Sequence, residues 1–195
     1  MPKLGMEPIR RNALVEATIH EIGARGTLDV TVSQIAKRAG MSSALAHHYF
    51  GSKEQMFAAA MRHIMTLYGA EVRGAMIMAN SPRQRIEAII RASFSPRQFR
   101  DESVAAWLNF YVQAQKSDDA LRLLNVYQKR LRSNLFYEFK QLAGDDARTL
   151  TRGLAAMIDG LYIRQALRRD PIEPAAAIDV LMHYLETSLD KAPAA

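Results

Sequence analysis

The sequence predicts an all-α protein of about nine helices. Apolar residues recur at three- and four-residue spacing along nearly the whole chain, and the two-residue alternation of strands is almost absent. Serine and threonine start signals alternate with glycine and proline stops. Together these place helices at roughly 9–25, 32–39, 43–49, 53–80, 82–94, 98–116, 118–143, 146–168 and 174–190.

The first helix carries Leu14, Val15, Ala17, Ile19 and Ile22 on one face and stops at Gly26. Thr31-Val-Ser-Gln34 opens the second in capping-box form, and Gly40 closes it. The third is barely two turns long and ends before Gly51. Ser52-Lys-Glu-Gln55 opens the long fourth helix with a second capping-box pattern. SPRQ occurs at Ser81–Gln84 and again at Ser95–Gln98, each offering a serine N-cap and a proline at the first helical position. These open the fifth and sixth helices. Gly144 ends the seventh, and Pro171 separates the last two.

The 195 residues suffice for one or two domains, and 49% hydrophobic with 24% charged residues is ordinary for a globular chain. A net charge of +6 favours an anionic partner, nucleic acid or membrane surface. No cysteine is present, which removes disulfides, thiolate metal sites and a cysteine nucleophile. The start MPKLGMEPIRR has no secretory apolar core, and no apolar run reaches the ~18 residues of a membrane span. A soluble cytoplasmic protein is expected.

Catalytic patterns are missing. His20, His47, His48, His63 and His183 form no metal-binding pattern, and no nucleophile elbow, P-loop or dinucleotide glycine motif occurs. The expectation is no enzyme, no cofactor and no metal. A basic membrane-surface protein is the rival from another class, but the Lys and Arg are scattered among Asp and Glu instead of forming a cationic face.

Residues 35–49 follow a helix-turn-helix. Ala36 is small where two helices cross, Gly40 suits the left-handed turn, and Met41, Leu45 and Ala46 hold the next helix in place. Ser42, Ser43, Ala44, His47 and His48 are then left facing outward, with Tyr49 at the edge. A helix presenting its first residues this way fits the major groove: serine hydroxyls and helix-start amides meet phosphates, and histidine and tyrosine meet base edges or thymine methyls. Thr31, Ser33 and Lys53 join the DNA-facing set, and Lys3, Arg10 and Arg11 form a basic segment for flanking phosphates. A merely solvated polar face is the plainer alternative, and residues 1–53, with seven Lys/Arg against four Asp/Glu, do not decide by charge.

The segment LVEATIHEIGARGTLDVTVSQIAKRAGMSSALAHHYFGSKEQMF resembles the DNA-binding domain of TetR-family repressors, through the framework T-x-x-x-IA-x-x-AG-x-S-x-x-x-x-x-x-YF-x-x-K. Ala44 and His47 depart from the glycine and tyrosine common there. The resemblance implies a reading domain at 1–52 and a ligand-binding, dimerising domain at 53–195. It implies double-stranded operator DNA as partner and a homodimer. Leu154, Ile158, Leu161, Leu181 and Leu185, on the last two helices, are the dimerisation candidates.

MPKLGMEPIRR and GLAAMIDGLYIRQAL are further similar to the choline-responsive branch of that family, which controls glycine betaine synthesis genes under osmotic stress. That likeness implies choline as effector; a TetR-type repressor with another cationic or hydrophobic ligand is the alternative. Phe94, Trp107, Phe110, Tyr111 and Tyr127 can supply the aromatic faces a quaternary ammonium needs, and Asp159 the countercharge, with Asp101 and Glu102 as alternatives. The same rings would serve equally as core packing.

Overall fold

The structure, a computed structural model, describes residues 5–167 and 173–191. Lys3, the break at Pro171 and the expected last residue of the eighth helix lie outside the described residues. Nine α-helices are found among the described residues: α1 Met6–Arg25, α2 Val32–Arg38, α3 Ser43–Phe50, α4 Lys53–Ile77, α5 Pro82–Ser93, α6 Asp101–Ala114, α7 Asp118–Ala143, α8 Ala147–Ala166 and α9 Pro174–Lys191. A single 3-10 turn, Gly144–Asp146, joins α7 to α8.

The local start signals work as read. Thr31 Oγ1 accepts from the Gln34 amide while Gln34 Oε1 accepts from the Thr31 amide, a complete capping box. Ser42, Ser52 and Ser81 accept from Leu45, Gln55 and Gln84 in the same way. Each such cap contributes about 0.5–2 kcal/mol. Gly40 sits at φ 68°, and the amide of Met41 donates back to the Ala36 carbonyl at 2.8 Å, closing the turn into α3.

The second SPRQ is a correction. It makes one turn, with Gln98 and Phe99 amides on the Ser95 carbonyl, and α6 starts only after Arg100. Gln98 is buried and its amide donates to Glu71 at 3.2 Å; Ser95 Oγ has no hydrogen-bond partner among the described residues. A capping glutamine has been drawn away by a carboxylate on another helix.

Helices α1–α3 form a head around Leu14, Ile19, Ile22, Ile35, Ala36 and Ala46, all buried. Glu21 on α1 binds Arg38 at the end of α2 and also pairs with Arg25, and the Arg38 hydrogen bond holds its carboxyl below the ordinary range. Helix α4 packs against α1 at one end and against α5, α6 and α7 along the rest. Helix α6 also packs on α1, and α8 packs on α6, α7 and α9. Head and body therefore share two joints, one through α4 and one through α6. No helix among the described residues is long and apolar enough to cross a membrane.

Candidate DNA-reading face and effector cavity

The head presents α3 at its surface. Ala44, His47 and His48 are exposed, Ser42 is exposed at the N-cap, and Ser43 and Tyr49 are half-buried. Thr31 and Ser33 are exposed at the start of α2. His47 Nδ1 lies 2.7 Å from the Gly51 carbonyl. A carbonyl only accepts, so Nδ1 carries a proton and donates here, which fixes the ring's orientation.

Tyr49 is braced from α1. The Arg11 guanidinium stands 5.5 Å over the Tyr49 ring and 5.3 Å over that of Phe50, and Arg10 approaches the Tyr49 hydroxyl at 3.5 Å. Lys53 is half-buried and its ammonium donates to the Leu28 carbonyl at 3.3 Å. That lysine ties α4 to the loop after α1, in competition with the phosphate contact expected of it.

In the body, Trp107, Tyr111 and Tyr127 line one small, nearly closed cavity of about 10 Å³. Tyr68 from α4, Tyr162 from α8, Ser93 and Gln98 complete the wall. Tyr111 and Tyr127 both donate to Asp159 Oδ1, at 3.0 and 3.1 Å. The Trp107 and Tyr127 rings are 4.5 Å apart. Burial raises the Asp159 carboxyl above its ordinary range, opposed by the two tyrosine hydrogen bonds and by Arg132. Burial also pushes the Tyr68 phenol up to about 12 and the phenols of Tyr111, Tyr127 and Tyr162 upward, so all four keep their protons at neutral pH.

Two ring candidates fall outside that wall. Phe94 is fully buried against Phe99 and Tyr162, and Phe110 against Phe57 and Trp107. Both are core residues behind the cavity. Sequence reasoning missed Tyr68, Ser93, Gln98, Tyr162 and the nearby Glu71. Tyr162 had a signal: it lies three residues after Asp159, on the same helical face.

The dimerisation candidates need a similar correction. Leu154, Ile158 and Leu181 are 0% exposed and Leu185 1%, because they pack α8 and α9 onto the protomer's own core. Only Leu161 is half-exposed. The exposed large apolar residues of these helices are Ile163 and Val180, with Leu167 at the C-cap of α8.

The cavity is joined to the head by α6. Asn109, two residues from Trp107, donates to the Gly26 carbonyl at the end of α1 at 3.2 Å. Tyr68 places α4 in the cavity as well. Both joints between head and body thus carry a ring of the cavity wall.

Residues 14–60 match the profile described as bacterial regulatory proteins, tetR family, and residues 82–190 match that of the BetI-type transcriptional repressor, C-terminal. The HTH-type transcriptional regulator BetI of Brucella melitensis is 50% identical over 196 residues, covering 100% of this chain and 99% of that one. BetI of Rhizobium meliloti is 50% identical over 190 residues, covering 97% and 94%. Among solved structures, a Pseudomonas aeruginosa PAO1 regulator superposes with a TM-score of 0.81 at 24% identity, over 97% of this chain and 94% of that one. A Saccharomonospora viridis regulator, solved in complex with choline, gives 0.78 at 23% identity over 90% and 95%.

Proposed function

Because this chain belongs to the TetR family of transcriptional regulators, in its BetI-type branch, we propose that it represses choline-to-glycine betaine synthesis and uptake genes and that choline is its effector. The observation that carries the effector reading is the cavity itself: five aromatic rings line a small space with no Lys or Arg in its wall, and the half-buried Asp159 carboxylate stands behind two of them, Tyr111 and Tyr127. Such a space suits a cation that has shed its water, with each ring contributing about 0.5–2 kcal/mol. The choline held by the S. viridis regulator supports the same class of ligand.

Residues 1–52 act as the reading unit and 53–195 as the effector and dimerisation unit. Helix α3 enters the major groove with Ser42, Ser43 and Ala44 foremost; His47, His48 and Tyr49 follow. Two protomers pair through the outer faces of α8 and α9, where Leu161, Ile163, Leu167 and Val180 are available. Their reading helices then meet half-sites about one DNA turn apart. An effector that spreads the rings of Trp107 and Tyr68 moves α6 and α4, and through them the head. A coupling of ~1–3 kcal/mol changes operator affinity roughly 5–150-fold.

The experiment is footprinting of the purified protein on the DNA upstream of its own gene, with and without choline. Protection that choline relieves supports the proposal. Protection indifferent to choline leaves the repressor and removes choline as effector.

A further inference from the structure

A cleft of about 600 Å³ runs between the head and the body, apart from the ring cavity. Its head side is Arg11 of α1 with Tyr49 and Phe50 at the end of α3. Its body side is the start of α7, through Ser117, Ala120, Arg122 and Leu123. Phe57 of α4 and Phe110 of α6 form the floor, their rings 6.1 Å apart and edge to face. A smaller hollow of about 130 Å³ shares Glu54, Phe57 and Gln113 with the cleft and reaches Ile22, Val30 and Ile35 of the head. No residue of α8 or α9 lines either space, so pairing through those helices leaves the cleft open.

The charges on its wall do not cancel. Arg11, Arg62 and Arg122 stand against Glu54 and Asp119. Glu54 is engaged at the start of its own helix, where hydrogen bonds from its own amide and from Ser52 hold its carboxyl below the ordinary range. Asp119 pairs with Arg122 at 3.3 Å, but both side chains are widely exposed and such a pair is weak. Arg11 pairs with Glu7, outside the cleft. Among the described residues the Arg62 guanidinium has no carboxylate partner and the Gln113 side-chain amide no hydrogen-bond partner. An apolar floor thus lies under an excess of positive charge.

We infer that this cleft is a second ligand site, one that takes a small aromatic carboxylate. The ligand's ring covers Phe57 and Phe110 and faces Tyr49 and Phe50, which removes apolar surface from water. Its carboxylate meets the guanidiniums of Arg62 and Arg122, whose planar forks match two oxygens. Gln113 supplies a neutral donor. An apolar cleft with a few polar groups at a junction of two units is the common build of a small-molecule site. Occupancy also reaches the reading helix. The Arg11 guanidinium lies over the rings of Tyr49 and Phe50, and an anion in the cleft draws it away from them. Operator binding weakens as a result; this consequence, unlike the site, rests on the reading role proposed for Tyr49.

The test is calorimetric titration of the intact protein with 2-naphthoate, with naphthalene-2-carboxamide as its uncharged isostere, and with inorganic phosphate. The naphthoate binds at least about ten-fold more tightly than the amide, and phosphate, which leaves the floor uncovered, gives no heat. Arg62→Gln and Arg122→Gln, both on exposed side chains, each weaken naphthoate by about three- to ten-fold. A mobility shift with saturating naphthoate reads several-fold weaker operator binding. No naphthoate heat, equal affinity for the acid and its amide, or affinity untouched by both arginine substitutions overturns the inference and leaves the choline proposal standing. Naphthoate binding with operator affinity unchanged overturns the link to Tyr49. A protein that binds no operator at all removes the proposed function, and calorimetry still decides the site.

Discussion

A Cβ added to Gly23 would lie 2.5 Å from the Cα of Glu102, so α1 and α6 touch backbone to backbone at that crossing. The head meets the ring-bearing helix there, with the Cα, Cβ and Cγ of Glu102 all against Gly23. Gly23→Ala has to push the helices apart, because the obstructing atoms include main chain. The expected cost is about 1–3 kcal/mol of unfolding free energy, measured by urea denaturation. Operator binding by the folded fraction should also lose part of its choline response, since the joint no longer seats.

Asp159 is the charge that a cationic effector is proposed to neutralise. Asp159→Asn keeps the shape and removes the charge. Choline affinity should fall at least about ten-fold while operator affinity without choline is unchanged. Calorimetry and a mobility shift separate the two. Unaltered choline binding in the variant would falsify the role given to this carboxylate.

The same residue sets a pH dependence. Burial raises its folded-state pKa above the ordinary aspartate value of 3.8. The folded protein then holds a proton that the unfolded chain has released, so this contribution to stability is complete at low pH and lost as pH rises through the folded pKa. Choline favours the ionised form, so its affinity should weaken as pH falls through that same raised pKa. Titrations from neutral pH downward, with melting curves alongside, check both signs.

Lys53 separates two roles by salt. Replacing a phosphate contact reduces the slope of log affinity against log salt by about 0.9. Lys53→Ala should instead leave the slope unchanged and lower stability by about 0.5–1.5 kcal/mol, through loss of the bond to the Leu28 carbonyl. Tyr49→Ala should weaken operator binding with the protein still folded and dimeric, as read by mobility shift and sedimentation.

Trp107→Ala should leave operator affinity intact and blunt the choline response, since the ring lies in the cavity wall, away from α3. DNA titrations with rising choline measure the difference.

The helices were legible because their signals are local. Thr31 with Gln34, and Ser81 with Gln84, act within four residues of chain, and the structure keeps them. The second SPRQ misled because Gln98 answers to Glu71, which is 27 residues away in sequence. The apolar stripes of α8 and α9 were plain, but a stripe does not say whether it faces its own protomer or another; Leu154, Ile158, Leu181 and Leu185 face inward. Trp107 and Tyr111 stood out because they share one short run, WLNFY. Tyr68 stayed hidden because it arrives alone, from a helix distant in sequence, whereas Tyr162 could have been found from Asp159 one turn before it.

Helix α4 spans 25 residues, hence about 37 Å at about 1.5 Å per residue. A tilt of about 5° about Tyr68 sweeps the Lys53 end, about 22 Å away, through about 2 Å, more than half of the ~3.4 Å rise of one base step. In a two-fold pair with opposed displacements, the span between the heads changes by about one step. An angstrom-scale rearrangement around a molecule the size of choline is therefore enough to put both heads out of phase with the duplex.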